Sequence, residues 1–253
     1  MEQRKDKIGV IILAGGKGKR MQSELPKVLV ELRGKPMIKH LLESLKASGV
    51  CDTPTIVVGY KKESVIEALG EKYHYAVQEE QLGTGHAVMA AHKQLEHKVE
   101  NVLVLYGDNP YITPESIKKL ADTHIASGGK LTMATVQLSD FLEWRSFFYT
   151  SFSRIIRNEY GDIIRSVEFK DATDDEKKIT EVNPCYFCFN APWLWKKLQT
   201  LKNDNAQQEY YLTDLVKIAM QEGEKIASIQ IEPGEALAAN SKEELGLLEN
   251  FNK

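Results

Sequence analysis

The sequence has few cysteines, no long apolar run and almost no charge imbalance, and each of these absences excludes a class of protein. Three cysteines among 253 residues cannot form a disulfide framework, so we expect a reducing compartment. No run approaches the ~18 apolar residues that a membrane-spanning helix needs. With 33 basic and 36 acidic residues the formal charge is −3, which argues against nucleic acid or a membrane surface as a partner. The expected location is the cytoplasm.

Two of the cysteines form a CxxC motif, Cys185-Tyr186-Phe187-Cys188. Residues 182–189 around it predict an extended strand, and positions three apart on a strand face opposite sides of the sheet. No second CxxC is present to complete a zinc site. We therefore interpret both cysteines as packing residues.

Strands and helices are predicted to alternate through the first half of the chain. Apolar, β-branched runs predict buried strands, and apolar residues at helical spacing predict helices between them. The predicted strands are 8–13, 55–58, 73–77 and 99–105, and the predicted helices are 36–47, 63–69, 85–95 and 114–126. This alternation favours βαβ units and a parallel sheet.

The second half departs from this alternation and predicts antiparallel pairing. A hairpin over 153–169 turns at 158–162. The other predicted strands are 131–138, 181–190 and 226–231, and the helices are 192–201, 210–222 and 241–249, the last with a capping box from Ser241 and Glu244. We expect one domain over 1–253 of the α/β class: a Rossmann-like mixed, mainly parallel sheet, with helices on both faces and an antiparallel elaboration.

A glycine-rich, cationic loop follows the first predicted strand. In an open α/β sheet, ligands bind beyond the carboxyl ends of the strands, where bare backbone N–H groups form anion sites. The loop reads Leu13-Ala14-Gly15-Gly16-Lys17-Gly18-Lys19-Arg20-Met21, and Lys27 follows it closely. Glycines and cations in this position predict a polyphosphate ligand.

Two common phosphate-binding motifs do not match this loop. The dinucleotide fingerprint G-x-G-x-x-G would place its third glycine at Met21. The ATPase loop requires a Gly-Lys pair followed by Ser or Thr, and no such sequence occurs here. A solvated turn whose lysines bind nothing is the remaining alternative from the loop alone.

The loop and the residues after it resemble the signature of sugar nucleotidyltransferases. The further elements are Leu25-Pro26-Lys27-Val28-Leu29 and Gly34-Lys35-Pro36-Met37. The resemblance implies a nucleotide-diphospho-sugar transferase fold, in which Leu13, Ala14, Gly15 and Gly16 hold the nucleotide. It also implies two catalytic cations, Arg20 on the β- and γ-phosphates and Lys27 on the α-phosphate.

A second element resembles one branch, the N-acetylglucosamine-1-phosphate uridyltransferase domain. It is the run from Gln78 to Ala87, Q-E-E-Q-L-G-T-G-H-A. The resemblance implies that Gln78 and Gly83 read the uracil base and that Thr84 lies near the sugar phosphate. We interpret His86 as a residue that packs and caps at the start of a helix, because the proposed chemistry needs no histidine base.

A magnesium site is implied at Asp108, which ends the run Tyr106-Gly107-Asp108 after a predicted strand. Mg²⁺ takes one or two protein oxygens together with phosphate oxygens and water. By resemblance, Asp108 is one ligand, and Asn240, just before the last helix, is the other.

The sugar side is implied by resemblance to involve Tyr106, Ser153, Glu168 and Asn183. Glu168 would accept hydrogen bonds from sugar hydroxyls, and Asn183 would hold the ring. The run 205–214, N-A-Q-Q-E-Y-Y-L-T-D, also matches the branch. We expect its tyrosines, Tyr210 and Tyr211, mainly to pack a helix onto the sheet.

Four features depart from the branch's pattern. Lys19 stands before the arginine where the family has threonine. The family's Y-G-R-I element, whose glycine contacts the N-acetyl sugar, reads Phe152-Ser153-Arg154-Ile155. Asn183 is followed by Pro184-Cys185 rather than Thr-Gly, and residues 139–151 form a longer, aromatic-rich stretch. That stretch is predicted to be a lid over the sugar, a protein-contact patch or a surface loop tucked onto the core.

The resemblance covers residues 7–249 and implies a Mg²⁺-dependent uridylyltransferase acting on UTP and a sugar 1-phosphate. N-acetylglucosamine 1-phosphate is the leading substrate. The alternatives are another sugar 1-phosphate (N-acetylmuramic acid or a hexose) and a non-catalytic paralogue that binds a nucleotide sugar and regulates a partner. We expect residues 1–130 to bind the nucleotide, 131–240 the sugar, and 241–253 to form the C-terminal helix.

The family is often bifunctional, with a C-terminal β-helix that acetylates the amino sugar and forms trimers. The 253 residues contain no hexapeptide repeats of that kind. We therefore expect neither acetyltransferase activity nor the trimer interface of the β-helix, and the sequence leaves the oligomeric state open.

Overall fold

The computed structural model describes residues 6–21, 23–205 and 207–251, and it describes no side chain for residues 6, 7 and 19. The side chain of Lys19, one of the cations predicted to meet phosphate, thus lies outside the described residues. So does Ala206 of the 205–214 motif. No helix in the described part of the chain is long and apolar enough to cross a membrane.

Ten strands form one mixed sheet that runs through both halves of the described chain. Its order is β5-β4-β1-β6-β11-β7-β10-β8-β9, with β12 paired to β7, and a separate small hairpin consists of β2 and β3. The strands are β1 Asp6–Leu13, β2 Glu31–Leu32, β3 Lys35–Pro36, β4 Thr55–Val58, β5 His74–Val77, β6 Val99–Tyr106, β7 Leu131–Gln137, β8 Arg154–Arg157, β9 Ile163–Val167, β10 Glu181–Val182, β11 Phe187–Asn190 and β12 Ala227–Ile231.

The first half of the sheet is parallel and the second half is mostly antiparallel. β1 lies between β4 and β6 and is parallel to both, and β5 is parallel to β4. β8 and β9 form the predicted antiparallel hairpin. The last strand, β12, returns parallel to β7. Parallel neighbours bring the carboxyl ends of β1, β4, β5 and β6 to one edge, where the glycine-rich loop begins.

Helices cover both faces of the sheet, as predicted. They are α1 Met37–Ser48, α2 Lys62–Leu69, α3 Thr84–Ala90, α4 His92–Leu95, α5 Pro114–Ser127, α6 Phe147–Ser151, α7 Ala191–Leu198, α8 Asp214–Gln221 and α9 Lys242–Asn250. Alternate residues of β1 enter two separate cores, Val10 and Ile12 on one face and Ile11 and Leu13 on the other. The first core is covered by α1, α2 and α5, and the second by α3, α7 and α8.

The single strand predicted over 181–190 is wrong, because β10 and β11 are separated by residues 183–186. Pro184 has no backbone N–H to contribute to a ladder. The side-chain oxygen of Asn183 accepts a hydrogen bond from the Cys185 N–H at 2.8 Å, and Cys185 has a positive φ of 66°. This local turn replaces strand pairing and brings Asn183 and Cys185 to the sheet's ligand-binding side.

Three helix predictions also need correction. The helix predicted over 210–222 begins only at Asp214, since the main chain of Tyr210 pairs with Leu82 and Gly85 instead. The helix predicted over 85–95 is divided at Ala91 into α3 and α4. The capping box of α9 is only half formed: the Ser241 side chain accepts from the Glu244 N–H, but the Glu244 carboxylate accepts from the Asn240 N–H.

Candidate active site

A cavity of about 220 Å³ lies at the carboxyl edge of the parallel strands. We call it the first cavity. Leu13 and Tyr106 are the last residues of β1 and β6, and Gln78 directly follows β5. The predicted residues that line this cavity are Leu13, Ala14, Gly15, Gly16, Lys27, Gln78, Gly83, Thr84, Tyr106 and Asp108. The structure therefore brings together three parts of the chain that are far apart in the sequence, 13–27, 78–84 and 106–108.

The glycine-rich loop lets Lys27 pass close to its backbone. Gly18 has φ +61°, and a Cβ at this position would stand 2.8 Å from Cβ of Lys27. A side chain there would both strain the backbone and push the lysine stem away. Lys27 itself begins a short 3₁₀ turn anchored by the buried side chains of Val28 and Leu29. The loop and this turn together aim the Lys27 ammonium into the first cavity.

The ammonium group of Lys27 is held between the two residues predicted to bind magnesium. Its Nζ forms an ion pair with the Asp108 carboxylate and donates to the Asn240 side-chain oxygen at 2.5 Å. The side chains of Lys27 and Asp108 are only 12% and 17% exposed. The three residues, 81 and 132 positions apart along the chain, thus form one charged cluster.

The oxygens of this cluster suit a hard divalent cation. Asp108 and Asn240 supply one carboxylate oxygen and one amide oxygen, converging on the same point. Mg²⁺ prefers such oxygens and completes its shell with water and substrate phosphates. Within the described residues no group of three or more His, Cys, Asp or Glu could hold a metal. The donor set therefore fits a cation that arrives with a phosphate-bearing ligand.

Arg20 stands apart from this cluster. It lies in the short 3₁₀ turn Lys19–Met21, is exposed to solvent and is not part of the wall of the first cavity. Its predicted contact with the β- and γ-phosphates stays a prediction. Ala14 lines the cavity, but its N–H already donates to the Val57 carbonyl at 2.8 Å. That amide is therefore not available to a ligand.

Gly83 closes the side of the first cavity nearest Gln78. Its φ of +102° is open only to glycine, and a Cβ there would meet the Tyr210 carbonyl oxygen at 2.7 Å. The backbone of Tyr210 is bonded on both sides of this turn, to the Leu82 carbonyl and the Gly85 N–H, each at 2.7 Å. The predicted base-reading residue Gly83 is consequently held in one conformation.

A second cavity of about 590 Å³ adjoins the first. The two cavities share Thr84 and Tyr106. Ser153, Glu168 and Asn183, the residues predicted on the sugar side, all line the second cavity. Burial raises the pKa of Tyr106 well above its usual value, so its phenol stays neutral in the wall that the two cavities share.

Asn183 carries an unused donor in the second cavity. The residue is fully buried, and its side-chain oxygen is taken by the Cys185 N–H. Its Nδ2 has no hydrogen-bond partner in the described structure. Burying an amide N–H without an acceptor costs about 1–3 kcal/mol, so such a group favours a ligand that supplies one.

Ser153 and Glu168 interact directly on the wall of the second cavity. Ser153 is buried, and its hydroxyl donates to Glu168 Oε1 at 2.8 Å. Glu168 remains accessible from the cavity, but the protein around it removes part of its hydration and raises the pKa of its carboxyl. The serine therefore occupies one acceptor of the carboxylate and leaves Oε2 for a ligand.

The aromatic stretch 139–151 packs onto the core, which favours the tucked-loop alternative. Phe148 is fully buried, and Phe141, Trp144 and Phe147 lie against the first core. Arg154, also fully buried, donates to the carbonyls of Tyr149 and Phe152 and lies 4.6 Å from the ring centre of Phe141. The end of the stretch, Thr150 and Ser151, forms part of the second cavity's wall.

Several lining residues were not assigned from the sequence. Gln81 and Glu209 belong to the first cavity, and Lys170, Asn205 and Tyr211 belong to the second. Four of the five, all except Lys170, stand inside the motif runs 78–87 and 205–214, so their position in those runs was the available signal. The expectation that Tyr211 mainly packs a helix is wrong, because it precedes α8 and its hydroxyl donates to Gln207 at the second cavity.

The cysteines are free thiols in the structure. Cys188 is buried in β11 and Cys185 is half-buried beside the second cavity. Burial raises the pKa of Cys185 to about 12, which disfavours the reactive thiolate. These observations agree with the interpretation as packing residues.

The first cavity, with its Lys27–Asp108 ion pair, lies beyond the carboxyl ends of the parallel strands, which is where open α/β sheets of the nucleotide-binding class hold their ligands. The chain belongs to the family of MobA-like NTP transferase domains, whose model matches residues 10–214. It is therefore a nucleotidyltransferase domain.

Curated relatives confirm the resemblance indicated by the motifs. The chain is 40% identical over 248 residues to the bifunctional protein GlmU of Brevibacillus brevis, covering 98% of this chain and 52% of that protein. It is 38% identical over 247 residues to GlmU of Desulfotalea psychrophila, covering 97% and 70%. The chain thus spans about half the length of the first of these relatives.

Solved structures confirm the predicted fold. A CMP:2-keto-3-deoxy-manno-octonic acid synthetase complexed with CTP superposes with a TM-score of 0.69, covering 96% of this chain and 97% of the other. Sequence identity is 16%, so this likeness concerns the fold alone.

Proposed function

We propose that the chain is a Mg²⁺-dependent uridylyltransferase that forms a UDP-sugar and pyrophosphate from UTP and a sugar 1-phosphate. One observation carries the proposal: two adjoining cavities share Thr84 and Tyr106, and the charged cluster of Lys27, Asp108 and Asn240 lies on one side. Such an arrangement suits two phosphate-bearing substrates that must meet at one phosphorus atom. N-acetylglucosamine 1-phosphate is the leading second substrate, on the resemblance to the uridyltransferase branch.

The reaction joins two polyanions, so positioning and charge neutralisation supply most of the catalysis. A phosphate oxygen of the sugar 1-phosphate attacks the α-phosphorus of UTP, and pyrophosphate leaves with the bond electrons. The attacked phosphorus would lie near Thr84 and Tyr106, where the cavities meet. Lys27 would donate from its ammonium to an α-phosphate oxygen, whose negative charge grows in the transition state.

A bound Mg²⁺ would neutralise phosphate oxygens of UTP. Asp108 and Asn240 are the residues that would hold it. Arg20, at the exposed end of the loop, would bind the β- and γ-phosphates and neutralise the leaving pyrophosphate. Gly15 and Gly16 have no side chains, so a ligand in the first cavity could approach their backbone closely.

The second cavity fits a polyhydroxylated ring. Asn183 offers a buried N–H donor, and Glu168 offers a carboxylate oxygen, so a sugar's hydroxyls find one partner of each kind. The Ser153 hydroxyl lies where the family has a glycine that contacts the N-acetyl group. This substitution keeps another sugar 1-phosphate, a hexose or N-acetylmuramic acid, as the alternative substrate.

The test mixes the chain with UTP, Mg²⁺ and a panel of sugar 1-phosphates, and measures pyrophosphate release. The panel holds the phosphates of N-acetylglucosamine, glucose, galactose and N-acetylmuramic acid. We expect release with N-acetylglucosamine 1-phosphate to exceed that with the others. Release with another sugar alone would transfer the proposal to that sugar. UDP-sugar binding without any release would refute the enzyme and favour the non-catalytic paralogue.

A further inference from the structure

The side-chain amide of Gln78 is held in one orientation beside the first cavity. Its Nε2 lies 3.1 Å from the Gly83 carbonyl oxygen and 3.2 Å from Nδ1 of His86. A carbonyl oxygen can only accept, so the end of the amide that faces Gly83 must be the nitrogen. An amide nitrogen carries two hydrogens, and these two acceptors take both. Nε2 is therefore not available to a ligand.

The oxygen of the same amide is left for the cavity. A Cβ placed on Gly15 would stand 3.0 Å from Gln78 Oε1, so the oxygen faces the glycine-rich loop. Gly15 and Gln78 both line the first cavity. Among the described residues, none donates a hydrogen bond to Oε1. The cavity therefore presents an acceptor, on a largely buried side chain, to which no described residue donates.

His86 is held in place to serve as the second acceptor. It is the third residue of α3, and its ring centre lies 6.3 Å from that of Tyr210. The interpretation of His86 as a helix cap is wrong, because Gly83 is the N-cap of α3 and no side chain caps the helix. Nδ1 accepts only when the ring is neutral and carries its proton on Nε2. In that form the histidine and the Gly83 carbonyl fix the amide from two sides.

We infer that His86 is a positioning residue that selects the nucleobase by fixing the side-chain amide of Gln78 with its oxygen toward the ligand. Uracil and thymine present an N–H donor at ring position 3, which an amide oxygen accepts. Cytosine presents a lone pair at the same position, which the oxygen repels. Without His86, one hydrogen of the Gln78 side-chain amide loses its acceptor. The energetic cost of rotating the amide so that its nitrogen faces the ligand then becomes smaller. The site would then discriminate less between the two kinds of pyrimidine.

The test measures the binding of UTP and of CTP to the full chain in the presence of Mg²⁺, by titration calorimetry. The readout is the ratio of the two dissociation constants. His86→Phe keeps a ring against Tyr210 but removes the acceptor. One hydrogen bond's worth of preference predicts that the preference for UTP falls about 5- to 10-fold. His86→Asn, whose side-chain oxygen can replace Nδ1, should restore the ratio to within about twofold of the parent.

The matched control is His92→Phe. His92 lies in the neighbouring helix α4, with its ring centre 4.7 Å from that of Trp195 and the rings tilted by 39°, away from both cavities. The His92→Phe variant should leave the ratio of the UTP and CTP dissociation constants unchanged. Thermal unfolding checks that each variant is folded, and His86→Leu replaces His86→Phe if the larger ring is not accommodated.

An unchanged ratio of the two dissociation constants in His86→Phe would overturn the inference. If both affinities fall equally, His86 has a packing role only, and if neither falls, His86 has no role in binding. The inference rests on the proposed function only in that the first cavity must take a pyrimidine nucleotide. A parent chain that binds neither nucleotide defeats both, whereas a UTP preference that His86→Phe does not alter defeats this inference alone.

Discussion

Replacing Lys27 by methionine separates two roles that the structure gives to one ammonium group. Lys27 is bonded to both oxygens proposed to hold Mg²⁺, so a metal ion that binds without nucleotide must displace it. Methionine keeps most of the apolar stem and removes the charge. We therefore expect the variant to bind a divalent cation more tightly than the parent in the absence of nucleotide, while it catalyses more slowly.

The size of each effect follows from the contacts. A hydrogen bond to a charged group contributes about 1.5–3 kcal/mol net, which corresponds to roughly 10- to 150-fold in affinity. Removing the Lys27 ammonium also removes its contacts with the residues around it, which offsets part of this gain in metal affinity. We therefore expect the dissociation constant for Mn²⁺ to fall about tenfold or more. Turnover should fall about 100-fold or more, as for loss of other groups that stabilise transition-state charge.

The metal affinity is measured by electron paramagnetic resonance of free Mn²⁺ in a titration without nucleotide, and turnover by pyrophosphate release. Lys17→Met is the matched control, because it also removes one positive charge close to the first cavity. The Lys17 ammonium lies over the ring of Tyr60, 5.2 Å from its centre. An unchanged Mn²⁺ affinity in Lys27→Met would refute the reasoning. An equal gain in Lys17→Met would refute it as well, because the effect would then come from net charge.

Four further predictions concern the second cavity and the fold. Asn183→Asp keeps the acceptor for the Cys185 N–H but loses the buried donor, so the KM for the sugar phosphate should rise about tenfold and the KM for UTP should stay within about twofold, in steady-state assays. Ser153→Gly frees Glu168 Oε1 and opens the wall, so kcat/KM for N-acetylglucosamine 1-phosphate over glucose 1-phosphate should rise about fivefold; an unchanged ratio would contradict this. Arg154→Met removes the charged donor of two part-buried carbonyls and should lower the free energy of unfolding by about 3 kcal/mol in urea titrations. Burial lowers the pKa of His124 to about 4, so between pH 6.5 and pH 4 the unfolded chain binds a proton on this histidine that the folded chain does not bind. The contribution of the neutral His124 to stability is therefore complete above pH 6.5 and is lost as the pH falls toward 4. His124→Gln should therefore lose about 2 kcal/mol less unfolding free energy than the parent between pH 7 and pH 5, and equal losses would contradict the assignment.

The sequence predicts the first half of the fold well because its strands are buried on both faces. β1 and β4 are continuous apolar runs, and each was placed within two residues of its observed bounds. The later errors come from contacts that no local pattern contains. The start of α8 is delayed because the main chain of Tyr210 is bonded to Leu82 and Gly85, more than a hundred residues earlier.

The candidate site was accessible from the sequence through its motifs rather than through periodicity. Lys27, Asp108 and Asn240 meet only in the folded chain, and resemblance to a family was the one signal that connected them. The role of His86 was missed because a histidine at a helix start has an ordinary structural explanation. Only the distances to the Gln78 amide reveal that its ring nitrogen is an acceptor beside the cavity.

Thr84 and Tyr106 are the only described residues common to both cavities. The glycine-rich loop lines the first cavity alone, and the segments that flank the β8–β9 hairpin, 150–153 and 168–171, line the second alone, whereas the run 205–213 contributes to both. Substitutions in these flanking segments are therefore expected to change the proposed sugar site while leaving the proposed triphosphate site intact. A new sugar preference could therefore evolve at positions of the second cavity alone, whereas a change at Thr84 or Tyr106 is expected to affect both proposed sites at once.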